Sequence, residues 1–390
     1  MMDELGLYED VDPGRHRRRK KKRGRSGLAL VLVVVILAVL GAGAWWGANK
    51  IGDMLTTPDY ATGGTSETTV SVKPRQTVAD IANTLYHADV VKSAKAFVEA
   101  AKENPKGTAF QPGTYKVHKQ MRARDAVTAL LDLNNKITTK VTLREGLTYK
   151  GTFAELEKVT KIPVAEFDAA AKDPVALGVP DFWFKRGDGK PVEKSIEGFL
   201  FPDTYEFEPG FTATSILERM VARFNEEMES SGFITKAEKE RQISPFEALI
   251  VASLAQVEAG NADDLGKVAR VAYNRAYKKN MPLEFDVAAN YWLLKQGKPT
   301  KSSSDLTPAE LDDPKNPYNV KSVRGLPAGP ISNPGAAALK GSIDPPVGDW
   351  VYFVAVDKQG HSAFAVTLAE HDANRRKACQ AGVLTGDACR

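Results

Sequence analysis

One glutamate closes a long uncharged run, and that is where this sequence first points to chemistry. Residues 246–260 read Phe-Glu-Ala-Leu-Ile-Val-Ala-Ser-Leu-Ala-Gln-Val-Glu258-Ala-Gly, with no charge from Ala248 to Val257. Ser244 offers an N-cap, Pro245 the first helical position and Glu247 a capping box, so a helix starts here. Its apolar character predicts burial on most sides. Glu258 falls at the C-terminal end of that helix, where partial desolvation raises a carboxyl pKa and the negative end of the helix dipole pushes the same way. An acid kept protonated near neutral pH can hand its proton to a leaving group. A glutamate at a helix end is also commonly a solvated surface residue, and the local pattern leaves both open.

Two further groups accompany it. Glu197-Gly198-Phe199-Leu200-Phe201-Pro202-Asp203-Thr204-Tyr205 interleaves aromatic rings with carboxylates on a Gly/Pro backbone. Such a surface suits sugars, whose ring faces are apolar and whose hydroxyls seek carboxylates. The same residues equally suit a tight buried turn. The other group is spread over the C-terminal third: Leu283-Glu-Phe-Asp286-Val-Ala, Asn316-Pro-Tyr318-Asn319-Val, and Gly325-Leu-Pro-Ala-Gly-Pro330-Ile-Ser-Asn333-Pro334-Gly335. Gly-Pro punctuation this dense shapes a cleft wall or a rigid loop. Residues 350–356 predict a buried strand, and 357–368 return as its hairpin partner. His361 and His371 are possible bases or ligands, but no three-ligand set accompanies them, so neither metal nor other cofactor is expected.

The elements around these residues predict two folded units behind a membrane anchor. Residues 26–49 carry no charge, and ~20 apolar residues rising ~1.5 Å each span a ~30 Å hydrocarbon core. Trp45 and Trp46 close the stretch at headgroup level, and the basic run 15–25 before it places the N-terminus in the cytoplasm. The following residues then lie outside, on a single-pass protein of the cell membrane. A cleaved signal peptide is the competing expectation, but its apolar core is shorter and ends in small residues. The formal charge of +4 is mostly this run. The remainder is near neutral and slightly acidic, which argues against a nucleic-acid partner. Cys379 and Cys389 are the only cysteines. Outside the cytoplasm such a pair predicts a disulfide that clips the tail.

The expected organisation is a basic cytoplasmic tail (1–26), a transmembrane helix (27–48), a polar linker (49–67), a small α+β module (68–135), a catalytic domain (136–378) and a C-terminal tail (379–390). In the small module, 68–72 and 112–117 read as strands, and 77–85, 94–102 and 124–131 as helices. Further on, 141–143 reads as a strand, and 150–160, 164–171 and 212–230 as helices. Residues 174–191 and 302–317 read as loops.

Several of these segments, taken in order, closely resemble the endolytic murein transglycosylases of the YceG-like family. The matching elements are Val-Ala-Ser-Leu-Ala-Gln-Val-Glu258, Glu197-Gly-Phe-Leu-Phe-Pro-Asp203-Thr, Asn316-Pro-Tyr-Asn319, residues 325–335, and Tyr352-Phe-Val with Gly360-His361, Phe364, Thr367-Leu and Glu370-His371. The opening of the small module is similar to LysM modules, which bind N-acetylglucosamine-containing glycans; a packing module without sugar affinity is the alternative. The resemblance implies an overall α+β chain: a single-pass helix, a LysM-like α+β module and a mixed α/β YceG-like catalytic domain.

It also implies the reaction. Glu258 falls on the catalytic acid, while Gln256 replaces another glutamate of that pattern. Asp286 falls on an aspartate after which the family's Pro-Thr is Val-Ala here. The expected substrate is peptidoglycan, cleaved without water at the β-1,4 bond between N-acetylmuramic acid and N-acetylglucosamine, leaving a 1,6-anhydro end. Glycan contacts are expected from Glu197, Phe201, Asp203, Asp286, Tyr318, Asn319, Asn333 and His361, and peptidoglycan synthases are candidate partners. A muramidase pairing Glu258 with Asp286 or Glu197 is the rival enzyme. A non-catalytic wall-binding regulator is the rival of another class.

Overall fold

Alternation at 67–72 and 113–118 and helical spacing between them dictate the smaller of two units, Met1–Asn135 and Lys136–Arg390. The computed structural model describes residues 26–55, 57–302, 305–385 and 389; the basic run 15–25 lies outside them. In the smaller unit, helix α1 (Ser26–Leu55) contains a stretch, Leu30–Gly47, long and apolar enough to cross a membrane. Its leucines, valines and both tryptophans are exposed. Strand β1 (Glu67–Val72) is followed by α2 (Val78–His87) and α3 (Ala94–Glu103), and then by β2 (Gly113–His118), which pairs antiparallel with β1. Helix α4 (Ala123–Leu131) completes the unit around Ile81, Leu85, Phe97, Tyr115 and Leu130. Thr77 and Asp80 form the capping box of α2.

The polar linker expected over 49–67 is not free chain. Helix α1 runs on to Leu55, and residues beyond it are hydrogen-bonded to the βααβ unit. The Asp59 carboxylate accepts the Ala123 N–H at 3.0 Å, and Tyr60 Oη donates to Asp89 at 2.9 Å. Arg122 Nε donates to the Ala61 carbonyl at 2.8 Å, and the Thr65 N–H to the Lys119 carbonyl at 2.7 Å. Small polar residues that read as linker are here spent on capping α4 and pairing backbone groups.

In the larger unit β3 (Thr139–Thr142) pairs antiparallel with β4 (Thr204–Phe207). Helices α5 (Tyr149–Thr160), α6 (Val164–Ala170), α7 (Ala213–Ser230) and the single turn α8 (Phe233–Lys236) precede the helix that ends in the glutamate, α9 (Pro245–Glu258). After it come α10 (Leu265–Tyr273), α11 (Val287–Lys295), the short α12 (Pro308–Leu311) and α13 (Ala336–Ile343). Strands β5 (Tyr352–Ala355) and β6 (Ser362–Ala365) form a hairpin under α14 (Leu368–Gln380). All pairing among the described strands is antiparallel, so this unit is α+β and not the expected mixed α/β. Four-residue strands in two-stranded sheets leave no place for the crossovers that parallel pairing needs. The strand expected to be buried at 350–356 is half-buried along β5, since a lone two-stranded hairpin keeps open edges even with α14 and α10 packed against it. Cys379 and Cys389 form a disulfide, with Cα atoms 5.7 Å apart, at the end of α14.

Helix α9 is the centre of this unit. Every residue from Pro245 to Ala255 is buried, against α10 and α13 among others. Each large apolar side chain so buried contributes roughly 1.5–3 kcal/mol. The capping box forms as the residues dictate: the Glu247 N–H donates to Ser244 Oγ at 3.2 Å, and the Ser244 N–H to Glu247 Oε2 at 2.9 Å. Ser253, polar within the apolar run, accepts the Ile331 N–H at 3.1 Å, while Ser332 Oγ donates to the Ser253 carbonyl at 3.0 Å. The Gly-Pro loop is thereby tied to the helix.

Candidate active site

Burial of α9 brings its last residue, Glu258, to the edge of the core, where it is half-buried. The start of α11 faces it: Asp286 is the N-cap, and the Val287 N–H lies near enough to the Glu258 carboxyl to favour its charged form. Burial pushes the Glu258 pKa up to about 8; the Asp286 charge adds to the rise, and the Val287 N–H and the Arg275 guanidinium oppose it. The side chain is therefore largely protonated at neutral pH. One oxygen of Asp286, Oδ1, is buried and has no hydrogen-bond partner among the described residues. A donor arriving with a substrate would satisfy it.

The chain holds this pair by close backbone approach. Gly260, two residues beyond Glu258, lies against Gly360 of the β5–β6 turn. A Cβ on Gly360, whose φ is +87°, would stand 2.6 Å from the Gly260 carbonyl oxygen. No side chain fits at either position. Behind the pair, Arg275 is buried on a π-turn, Asn274–Lys278. Its Nε donates to the Val351 carbonyl at 2.5 Å, and its Nη1 to the Leu283 carbonyl and Glu284 Oε2 at 2.9 and 2.8 Å. It also lies over the Tyr352 ring, which stacks on His371. Nothing in the sequence distinguishes Arg275 from a solvated helix-end arginine, so its place behind Glu258 was not legible there.

The other anticipated glycan contacts divide into three sets. Tyr318 and Asn319 share a narrow recess with Asp286 but are themselves buried, 1% and 5% exposed. Glu197, Phe201 and Asn333 are buried as well and hold the framework. Asn333 Oδ1 accepts the N–H groups of Gly198 and Leu200, both at 3.0 Å, and Asn333 Nδ2 donates to the Leu147 carbonyl at 3.0 Å. The Glu197 carboxyl accepts the Tyr149 N–H at 3.0 Å, and burial pushes its pKa up to about 8. These five side chains are almost wholly buried, and Glu197 and Asn333 hold backbone groups of the framework. Asp203 is partly exposed but paired with Arg223 at 2.8 Å, the guanidinium lying over the Phe201 ring. His361 is exposed in the β5–β6 turn, 2.7 Å from Asp357. Among the described residues no three His, Cys, Asp or Glu side chains are grouped as metal ligands.

Gln256, standing where the resembling pattern has a glutamate, accepts the Gly335 N–H at 2.9 Å through Oε1. A neutral acceptor suffices for that contact. The exposed Glu145 lies directly under Gly335, within reach of where a Cβ would stand. Sequence reasoning assigned it no role.

A protonated carboxyl beside a second carboxylate, at the end of the most buried helix of an α+β unit, is the apparatus of acid–base chemistry. The chain belongs to the YceG-like family, whose model matches residues 70–377. An endolytic murein transglycosylase of Bacillus subtilis is 31% identical over 321 residues, covering 80% of this chain and 85% of that protein. One from Streptococcus pneumoniae is 27% identical over 364 residues, 87% of this chain but 63% of that longer protein. A crystal structure of a yceG-like protein from Listeria monocytogenes is similar with a TM-score of 0.52 and 25% identity, over 80% of this chain and 99% of that one.

Proposed function

We propose that this protein is a membrane-anchored endolytic transglycosylase of peptidoglycan in which Glu258 acts first as acid and then as base. The observation that carries the assignment is the raised pKa of Glu258 at the end of α9, beside Asp286. Protonated Glu258 gives its proton to the glycosidic oxygen as the bond from the N-acetylmuramyl C1 breaks. The carboxylate so formed takes the proton from the C6 hydroxyl of the same sugar, and that oxygen closes on C1 as the 1,6-anhydro ring. An attacking hydroxyl already in place spares the reaction a bound water, a proximity effect worth several kcal/mol. Asp286 contributes charge that keeps Glu258 protonated and stabilises positive character developing at C1.

The family and the names of the relatives support the substrate class, and the exposed apolar helix α1 supports the anchor. Its basic flank supports a cytoplasmic N-terminus. The βααβ order of the smaller unit is compatible with a LysM-like glycan module. Glu258→Gln keeps the shape of the side chain and removes the proton, so cleavage of sacculi should fall at least ~10³-fold with thermal stability retained. Normal turnover by this variant sinks the mechanism. The second carboxylate keeps a muramidase in view; product mass separates the two, because the anhydro end is lighter than the hydrolytic one by one water.

A further inference from the structure

A sizeable cleft lies at the other end of α9. It holds about 560 Å³, the size of a small-ligand site, and is lined by Glu247 and not by Glu258. The two glutamates are eleven positions apart on the helix, a rise of roughly 16 Å. Two π-turns, Ala237–Arg241 and Asn274–Lys278, both contribute to its walls. Such turns are rare and recur at functional sites.

The polar groups of the cleft are unevenly satisfied. Two of its three acids, Glu247 and Asp188, already have partners, while Glu240 is exposed at the rim without one among the described residues. Glu247 accepts from the N–H groups of Ser244 and Gly187 and from Tyr277 Oη, and Asp188 pairs with Arg186. Arg270 is held by the carbonyls of Pro345 and Pro346 at 2.8 and 2.7 Å. Arg241 differs: its Nε is buried with no acceptor, and its guanidinium makes no hydrogen bond or ion pair among the described residues. It nonetheless lies near enough to Arg270 to repel it, which, after burial, lowers the Arg270 pKa. Asn274, 1% exposed, donates through Nδ2 to the carbonyls of Gly348 and Trp350 and leaves Oδ1 without a partner. Tyr277, 43% exposed, offers a ring beside these groups.

We propose that this cleft is a binding site for a small oxyanion-bearing ligand, held by Arg241 and Arg270 with its body against the Tyr277 ring. Two neighbouring guanidiniums, one with a buried Nε that has no acceptor, favour an anion. The carboxyl end of a short peptide fits best, since its amide N–H groups can also supply the donor that Asn274 lacks; phosphate shares the anionic chemistry. The site stands apart from Glu258 and does not rest on its role.

Detergent-solubilised full-length protein, titrated by isothermal calorimetry with Ala-Ala, with Ala-Ala amide and with inorganic phosphate, tests this. Saturable binding of Ala-Ala but not of its amide supports the peptide end, and saturable phosphate binding supports phosphate. In either case Arg241→Gln should weaken binding at least tenfold and leave the melting temperature unchanged, because Arg241 carries no internal hydrogen bond. Absence of saturable binding by every probe at millimolar concentration overturns the proposal, as does equal binding by the parent and Arg241→Gln.

Discussion

At the residue scale the proposed reaction turns on how Glu258 holds its proton. The acid form must be present at the start, so the rate should fall as pH rises through about 8. Asp286→Asn removes a like charge that helps keep the proton on, so the alkaline limb should move to lower pH, by roughly one unit. A pH–rate profile of the two proteins on purified glycan checks the direction; a limb that moves upward contradicts the role given to Asp286. Glu197 is raised in the same way but sits in the framework. Its folded pKa of about 8 lies above the ordinary 4.5, so the folded state holds a proton that the unfolded chain has released between those values. Stability from this group therefore declines as pH climbs through that window. Glu197→Gln should flatten the decline, its melting temperature gaining on the parent by about 2–4 °C or more between pH 5 and 8.

At the element scale α9 matters as a rigid rod with a chemically useful end. Its start was legible in Ser244, Pro245 and Glu247, because a capping box is a local contract between residues three apart. Ser244→Ala should cost about 1 kcal/mol, read as a lowered denaturation midpoint. Its end depends on contacts that local pattern does not show, those of Gly260 with Gly360. Gly360→Ala forces a Cβ against the Gly260 carbonyl at a φ of +87°, which should displace the hairpin from the end of α9 and lower kcat ten- to a hundred-fold. Gly382→Ala is the control. Its φ is +66° and nothing lies within 4 Å, so it should carry the backbone strain without the loss of rate. Equal effects from the two would show that strain alone, and not the contact, is responsible.

At the scale of the whole molecule, α1 and the small unit are joined with little slack. The helix reaches Leu55, and by Asp59 the chain is already fastened to α4. If α1 is the membrane anchor, as proposed, so short a connection keeps the small unit near the bilayer, given ~5–6 Å × √n for flexible chain. Inserting about 20 Gly/Ser residues between Leu55 and Pro58 should therefore broaden the length distribution of glycan strands in cells, with the purified protein's rate unchanged. Unaltered strand lengths would reduce the tether to a retention device.

Much of the fold could be read from residues alone because its signals are local. Alternation gave β1, a Pro-Gly turn gave β2, helical spacing gave α2–α7 in outline, and uncharged runs gave both the apolar helix α1 and the burial of α9. Glu258 could be singled out because position at the end of a buried helix is itself a sequence property. What tertiary structure decided is who stands around that position. Asn333 and Glu197 carry the same polar atoms whether they face a sugar or the backbone of Gly198 and Tyr149, and only packing placed them inside. Arg275 reads as a surface cation until the chain folds its guanidinium against the Val351 and Leu283 carbonyls. The charge that adds to the rise of the Glu258 pKa, likewise, is that of Asp286, 28 residues further along the chain. Periodicity records which side of an element is buried; it holds no information on which distant groups share that burial, and the chemistry of this site is set by that company.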